Sequence, residues 1–358
     1  TSKFFKLVLK MPNAVEQLVG QLIIAGFRGK TVDPDSEIAK YIVDYNITGV
    51  ILYDEDLEIG GLGSRNIESP DQVRNLVTQL QAIAKKPLLI SIDQEGGHVH
   101  RLKPEYGFEE TPSWNHMGLL SNTLITKQFS DTISSTLSDM GINVNFAPVL
   151  DIDHGTDTVI SDSKRAFSDD PKTVIEHSRI LINSHREKGI ITSGKHFPGL
   201  GSASGDTHEG YTDISETWTV KDLLPFDELI QSLDLDMVMV SHAFDNKLDP
   251  EYPASLSKKI ISGMLRSDLG FSGVVICDDP SMRAISDHYS LKDTFELMLN
   301  AGTDLFCLGN NLIYDPDYIT KSIGAICELI DSGKITKERI KESIHRIDTM
   351  RMKYNIYG

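Results

Sequence analysis

Cysteine is scarce in this chain, with Cys277, Cys307 and Cys327 the only three among 358 residues. An odd and sparse count is not the disulfide framework that holds small secreted domains together. The first two cysteines lie in apolar, strand-like runs and the third in a helix-like one, so we expect all three to pack in the interior. The fold must then rest on a hydrophobic core, which a chain of this length is able to build.

Long apolar runs and positive charges are also few. No run of about 18 or more apolar residues occurs, so we predict no membrane-spanning helix. The 35 lysines and arginines are outnumbered by 52 acidic residues, which gives a formal net charge of −17. Nucleic acids and anionic membranes attract clustered Lys and Arg, so we expect neither as a partner. The composition does not indicate an oligomeric state.

Neither a secretion signal nor a domain linker is evident. Residues 1–10 contain basic and apolar side chains but no small-residue cleavage site, so we do not predict a signal peptide there. We therefore expect a cytoplasmic protein, with a secreted form whose signal has already been removed as the alternative. No low-complexity segment or change of composition divides the sequence, and we predict a single catalytic domain over residues 1–358.

Short apolar runs that alternate with amphipathic segments dominate the sequence. Strands that alternate with helices indicate βαβ units and a parallel sheet, and nearly continuous apolar strands indicate burial on both faces. Eight such runs favour an α/β fold of the closed (β/α)8 TIM-barrel type over an open sheet. The predicted strands are residues 21–26, 49–53, 87–93, 143–150, 190–194, 237–241, 273–277 and 304–308. The predicted helices are residues 70–84, 123–140, 171–188, 256–267, 290–300 and 334–353.

Polar residues follow several predicted strands at their C-terminal ends. They are Asp93 to Gly97 at the end of the third strand, Lys195 to Gly199 after the fifth, Ser241-His242 at the end of the sixth and Asp278-Asp279 after the seventh. The active site of an α/β barrel forms at these strand ends. We therefore expect side chains from separate strands to meet in one site.

The paired acids after the seventh strand are candidates for covalent chemistry. A carboxylate at the tip of a buried strand is held rigidly and points into the barrel mouth. This position suits a nucleophile that must stay ionised and attack the anomeric carbon of a sugar. The alternative is that one acid caps a following helix at residues 281–286. We expect Asp278 to act at the site and Asp279 to be structural.

The segment from Lys195 to His208 is the most specific feature of the sequence. Four of its fourteen residues are Gly or Pro, so we predict a loop rather than a helix. Asp206, two residues before His208, can accept the ring N–H of the imidazole, which fixes its tautomer and raises the basicity of the other nitrogen. Such a dyad suits a proton shuttle on a mobile loop. The alternative is a surface loop with incidental polar residues.

The cluster after the third strand is a candidate for sugar binding. Glycines at a strand end, here Gly96 and Gly97, allow the backbone to approach a ligand closely. Asp93 could accept hydrogen bonds from two sugar hydroxyls, and Arg101 could supply a fixed fork of donors. The alternative is an aspartate that caps local backbone and an arginine on a solvated face.

His242 follows the sixth strand and is either a further site residue or a strand-end histidine with its hydrogen bonds satisfied. Its position at a strand end favours a supporting role in the site. Trp114 and Trp218 are interpreted as packing residues rather than as platforms for a sugar.

These segments together resemble glycoside hydrolase family three, and most of all its bacterial β-N-acetylhexosaminidase branch. The resemblance rests on Asp-Gln-Glu-Gly-Gly at 93–97, Lys-His-Phe-Pro-Gly at 195–199 with the later Asp-x-His, and Asp-Asp at 278–279. It runs in the expected order from about residue 16 to the C-terminus. Further similar segments are residues 17–27, 145–152, 164–171 and 253–266.

The resemblance implies a retaining glycosidase that hydrolyses terminal β-linked N-acetylglucosamine through a covalent glycosyl-enzyme intermediate. It implies a carbohydrate substrate from muropeptide or chitooligosaccharide turnover, and neither a cofactor nor a metal ion. Asp278 matches the nucleophile, His208 matches the general acid/base and Asp206 matches its partner. The residues matched to sugar binding are Asp93, Arg101, Arg165, Lys195 and His196, to which we add His242 for its position.

Four positions depart from the family pattern, and none is a matched catalytic residue. They are His98, Leu200, Ser202 and Pro280. Three alternatives to a glycoside hydrolase remain open on the sequence alone. A metal-dependent amidohydrolase barrel would draw ligands from residues such as His98, His100 and His242. A non-catalytic sugar-binding protein could use the same fold, and a phosphorylase could cleave the same bond.

Overall fold

Eight parallel strands form a closed barrel in the computed structural model, which describes residues 12–155 and 157–357. Each strand pairs with the next in the chain, and the eighth pairs with the first. This topology confirms the predicted (β/α)8 barrel. The segment 1–10, for which no signal peptide was predicted, lies outside the described residues. The strands are β1 (Ile23–Gly26), β2 (Gly49–Leu52), β3 (Leu89–Ile92), β4 (Val144–Asn145), β5 (Ile191–Phe197), β6 (Met237–Val240), β7 (Val274–Cys277) and β8 (Leu305–Leu308).

The largest differences from the predicted strand bounds are in β4 and β5. Strand β4 has two residues instead of the eight predicted, because Pro148 lacks a backbone N–H and only an isolated bridge between Val149 and Lys195 follows. Strand β5 continues three residues beyond its predicted end, since Lys195 and Phe197 still pair with β6. Consequently Lys195 and His196 lie on a strand and not in the predicted loop.

Helices surround the barrel, and most of them begin at a side-chain cap. The caps Ser69, Asn122, Asp170, Ser290 and Thr336 each accept a hydrogen bond from a backbone N–H of the first turn. The α-helices are α1 (Ala14–Gly20), α2 (Glu37–Val43), α3 (Pro70–Ile83), α4 (Trp114–Leu120), α5 (Thr123–Asp139), α6 (Val159–Asp162), α7 (Pro171–Glu187), α8 (Leu224–Gln231), α9 (Arg283–Ser286), α10 (Leu291–Ala301), α11 (Tyr318–Asp331) and α12 (Lys337–Lys353). A π-helix, Lys259–Asp268, occupies the predicted helix 256–267. None of the described helices is long and apolar enough to cross a bilayer.

The apolar core has an inner and an outer part. Alternate strand residues, including Ile24, Ile51 and Ile276, form a cluster that fills the barrel interior. The residues between them pack outwards against the helices, as a barrel with both faces buried requires. All three cysteines are unpaired. Cys307 belongs to the inner cluster and Cys277 to the outer one, as expected for core residues.

A buried carboxylate joins the C-terminal helix to the base of the barrel. Asp304, directly before β8, accepts a hydrogen bond from the backbone N–H of Val275 at 3.1 Å. It also accepts from the guanidinium groups of Arg266 and Arg346, at 2.5 and 3.0 Å. Asp304 is fully buried, so its charge depends on these donors for compensation.

We predict that Asp304→Ala lowers the free energy of unfolding by about 3 kcal/mol or more, because the arginines would lose their shared buried carboxylate. Urea denaturation monitored by circular dichroism measures the change. The control is Glu296→Ala, which removes the more exposed ion pair with Lys334 and should cost less than about 1 kcal/mol. Similar losses in the two variants would contradict the proposed role of Asp304.

Candidate active site

A cavity of about 370 Å³ opens at the C-terminal ends of the strands. Such a volume lies within the usual range for small-molecule sites. Eight of the nine predicted site residues line it, and His242 is the exception. The eight are Asp93, Arg101, Arg165, Lys195, His196, Asp206, His208 and Asp278. The structure therefore brings together segments that are up to 185 positions apart in the sequence (Asp93 to Asp278).

Asp278 lies at the tip of β7. Its backbone N–H donates to the carbonyl oxygen of Val240 at 3.2 Å, which continues the β6–β7 ladder and fixes the main chain. Burial raises the pKa of Asp278, but the imidazoles of His242, His196 and His208 outweigh burial and lower it overall. The carboxylate is therefore ionised at neutral pH, which a nucleophile requires.

Asp279, the second acid, is bound by the backbone. Its two carboxylate oxygens accept from the N–H groups of Ser281 and Gly309, at 2.9 and 2.8 Å. Burial raises its pKa. Because one oxygen is bound in the turn after β7 and the other by the backbone after β8, Asp279 holds the two strand ends together. Helix α9 begins later than predicted, at Arg283.

His242 is buried beneath the tip of β7 and does not line the cavity, which differs from its predicted place among the substrate-binding residues. Its Nε2 lies 3.0 Å from the carbonyl oxygen of Asp279, and its Nδ1 lies 2.7 Å from the hydroxyl of Ser255. A carbonyl oxygen only accepts, so Nε2 carries the proton and Nδ1 accepts from the hydroxyl. Burial lowers the pKa of His242. A neutral His242 thus anchors the β7 turn from behind.

His208 and Asp206 form a dyad on the loop after β5. The Nδ1 atom of His208 lies 2.7 Å from Oδ1 of Asp206, which also accepts the backbone N–H of His208 at 2.9 Å. The side chains are 49% and 35% exposed. Burial lowers the pKa of His208, but the hydrogen bond to Asp206 and the charge of Asp278 raise it overall. With Nδ1 bound to Asp206, Nε2 is left for proton transfer.

The opposite part of the cavity is an array of fixed charges. Nζ of Lys195 lies 3.0 Å from Oδ1 of Asp93 and 2.6 Å from Oε1 of Glu95. Arg165 donates twice to the carboxylate of Glu95, at 2.9 and 2.7 Å. Burial raises the pKa of Glu95, but the charges of Arg165 and Lys195 outweigh it and hold the pKa well below its usual range. The two cations thereby share one buried carboxylate. No role for Glu95 was predicted from the sequence, although it lies in the 93–97 motif.

Asp151 holds the His196 ring in place, a role that was not predicted from the sequence. Its Oδ2 lies 2.6 Å from Nδ1 of His196, and its Oδ1 accepts the backbone N–H groups of His196 and Leu200, at 3.2 and 2.7 Å. Nη2 of Arg165 lies 3.3 Å from Nε2 of the same imidazole. Asp151 therefore fixes the ring orientation of His196, and its position in the 145–152 motif after β4 was the available signal.

The cavity thus combines an ionised strand-tip acid, an imidazole paired with a carboxylate, and a rigid set of charged hydrogen-bonding groups. The fixed charges suit a ligand rich in hydroxyl groups, and the acid and imidazole can attack a carbon atom and move a proton. Within residues 12–155 and 157–357, no three His, Cys, Asp or Glu side chains form a group that could hold a metal ion.

Comparison with known sequences assigns the family. Residues 14–350 match the profile of the glycosyl hydrolase family 3 N-terminal domain. The chain therefore belongs to glycosyl hydrolase family 3, as the resemblance implied, and is a glycoside hydrolase. This assignment removes the amidohydrolase alternative. A β-hexosaminidase from Nitrosomonas eutropha is 32% identical over 305 residues, which cover 80% of this chain and 84% of the relative.

Solved structures agree in fold. A family 3 β-N-acetylglucosaminidase from a Paenibacillus species superposes with a TM-score of 0.87 at 30% identity, over 96% of this chain and 63% of that one. A β-N-acetylhexosaminidase from Beutenbergia cavernae superposes with a TM-score of 0.83 at 27% identity, over 96% of this chain and 99% of that one. The barrel described above is thus the fold of a known group of glycosidases.

We predict that Asp206→Asn lowers the pKa of the His208 imidazole, because a neutral amide stabilises the imidazolium less than a carboxylate does. NMR titration of the ring protons measures the shift without reference to turnover. His154, which pairs with Asp222 at 2.6 Å, is the internal control and should titrate unchanged. An unchanged or higher pKa for His208 would contradict the dyad.

Proposed function

We propose that the protein hydrolyses terminal β-linked N-acetylglucosaminides with retention of configuration. The observation that carries this proposal is that Asp278 and the His208–Asp206 dyad line the same cavity as the charged array around Glu95. The names of the Paenibacillus and Beutenbergia cavernae enzymes support N-acetylglucosamine or N-acetylhexosamine as the sugar. Muropeptide or chitooligosaccharide turnover and a cytoplasmic location are part of the same proposal.

In the first step, the carboxylate of Asp278 attacks the anomeric carbon and the bond to the leaving oxygen breaks. His208, protonated on Nε2, gives that proton to the leaving oxygen. A glycosyl ester of Asp278 forms. The raised pKa of His208 keeps more of it protonated near neutral pH, where an acid of matched pKa works best.

In the second step, the now neutral His208 takes a proton from a water molecule. The water oxygen attacks the anomeric carbon and the ester bond to Asp278 breaks, which restores the carboxylate and the imidazolium. Two inversions give net retention. Because the enzyme supplies the nucleophile, the acetamido group of the substrate does not need to attack.

The remaining site residues bind the terminal sugar. Asp93 offers carboxylate oxygens to sugar hydroxyls, and Arg101, Arg165 and Lys195 offer donors. His196, whose ring is oriented by Asp151, also lines the cavity and offers its Nε2 edge to the sugar. These contacts hold the anomeric carbon at Asp278, since accurate placement of the reacting atoms supplies much of the rate enhancement.

Turnover of 4-nitrophenyl N-acetyl-β-glucosaminide tests the proposed substrate. We expect the enzyme to release 4-nitrophenol from it at least about tenfold faster than from the matching β-glucoside, a difference of about 1.4 kcal/mol in activation free energy. Parallel reactions with and without phosphate identify the product as free sugar or sugar phosphate. A strong preference for the glucoside, or sugar phosphate as the main product, would contradict the proposal.

A trapped intermediate tests the nucleophile. With a slow fluorinated substrate, the wild type should gain the mass of one glycosyl group, and peptide mapping should place it on Asp278. Asp278→Ala should form no adduct and lose about 10⁴-fold or more in kcat, as expected when a nucleophile is removed. An adduct that persists in Asp278→Ala, or that maps to Asp279, would refute the assignment.

A further inference from the structure

The sugar-binding loop, residues 93–102, is held in shape by the side chain of Gln94. After β3 the chain reverses, because the N–H groups of Glu95 and Gly96 both donate to the carbonyl oxygen of Val99, at 2.9 and 3.0 Å. The buried amide of Gln94 spans this reversal. Its Oε1 accepts the backbone N–H groups of Arg101 and Leu102, at 2.9 and 3.0 Å. One side chain therefore joins the residue next to Asp93 to the backbone of Arg101.

Gln94 is itself anchored to the barrel wall by Asn145 of β4. The amide of Asn145 accepts the backbone N–H of Gln94 at 3.1 Å and donates to its carbonyl oxygen at 3.0 Å. The same amide nitrogen lies 3.0 Å from Nε2 of His185 on α7. Nδ1 of His185 donates to the carbonyl oxygen of Leu181 at 2.9 Å, so Nε2 accepts.

This chain of hydrogen bonds carries no net charge. Burial lowers the pKa of His185 to about 4, so the imidazole is neutral and remains an acceptor above that pH. The amides of Gln94 and Asn145 do not titrate. Replacing Gln94 with a side chain that does not titrate, such as methionine, should therefore leave the pH dependence of the reaction unaltered.

The guanidinium of Arg101, in contrast, has only loose contacts of its own. Its nearest carboxylate oxygens belong to Asp93 and Asp54, at 3.9 and 4.0 Å, beyond hydrogen-bond distance. Its Nε has no hydrogen-bond partner among the described residues. Arg165, in comparison, is bound at two points by Glu95. The location of the Arg101 donors thus depends on the backbone that Gln94 holds.

We propose that Gln94 is a positioning residue for substrate binding: it fixes the 93–102 loop so that Arg101 presents unpaired donors to the terminal sugar beside Asp93. This inference rests on the proposed function, because it takes the sugar as the ligand of that part of the cavity. Gln94 acts through Arg101 and does not touch the reacting atoms.

The test compares Gln94→Met with Gln94→Glu. Methionine is similar in length but leaves the two buried N–H groups without an acceptor, so the loop should relax. We expect KM for the aryl N-acetylglucosaminide to rise about tenfold or more and kcat to change less than about threefold, the pattern of lost uniform binding. The pH profile should not move. Glutamate still accepts both N–H groups and should restore KM to within about threefold of the wild type.

A double-mutant cycle separates this role from a general structural one. If Gln94 acts through Arg101, Gln94→Met should change KM less than about twofold in an Arg101→Ala background. The inference would be overturned if the KM increases of the two single variants multiply in the double variant. It would also be overturned if Gln94→Met has the wild-type KM, or if Gln94→Glu raises KM as much as Gln94→Met does. If Gln94→Met does not fold, Gln94→Asn carries the same prediction, since its shorter amide cannot reach both N–H groups.

Affinity for N-acetylglucosamine, measured by calorimetry, gives a second readout that needs no turnover. The expected loss in Gln94→Met is again about tenfold. A wild type that neither hydrolyses the substrate nor binds the sugar would refute the proposed function. A wild type that does both while Gln94→Met binds equally well would refute only the role of Gln94.

Discussion

One buried carboxylate, that of Glu95, organises the charged part of the cavity. Glu95 follows β3, Lys195 lies on β5, and Arg165 lies between α6 and α7 on the connection from β4 to β5. All three meet in a single ion cluster. Taking such charges out of water is unfavourable unless each has its partner. The cluster therefore forms only when the three segments are in their native places, and the geometry of the cavity depends on it.

The proposed proton shuttle, His208 with Asp206, differs in its exposure to solvent. Lys195 is 3% exposed, whereas His208 is 49% exposed on a loop. Rigid placement suits groups that bind the same hydroxyls throughout the reaction. An acid/base that gives a proton to one oxygen and then takes one from water must meet two different partners. Asp278, at the tip of β7, lines the same cavity and is fixed by the strand that carries it.

The apolar runs were sufficient to predict eight strands and their order, because a strand buried on both faces leaves a continuous apolar segment. The sequence motifs also predicted eight residues that line one cavity in the structure. The sequence could not distinguish polar residues that face the cavity from those beneath it. Asp151 and His242 both follow strands, yet their roles are set by the path of the chain after each strand. Likewise, the end of β5 depends on its pairing with Val240 of β6, which is a tertiary contact.

The thiol inside the barrel has a consequence for the chemistry of the site. Cys307 lines the cavity, and burial raises the pKa of its thiol well above the ordinary value, with nearby carboxylates adding to the effect. The thiolate is the reactive form of cysteine towards oxidants and alkylating agents. Because the surroundings suppress that form, the Cys307 thiol should react slowly with oxidants or alkylating agents that enter the cavity, and a neutral thiol adds no charge to the wall between the ionised side chains.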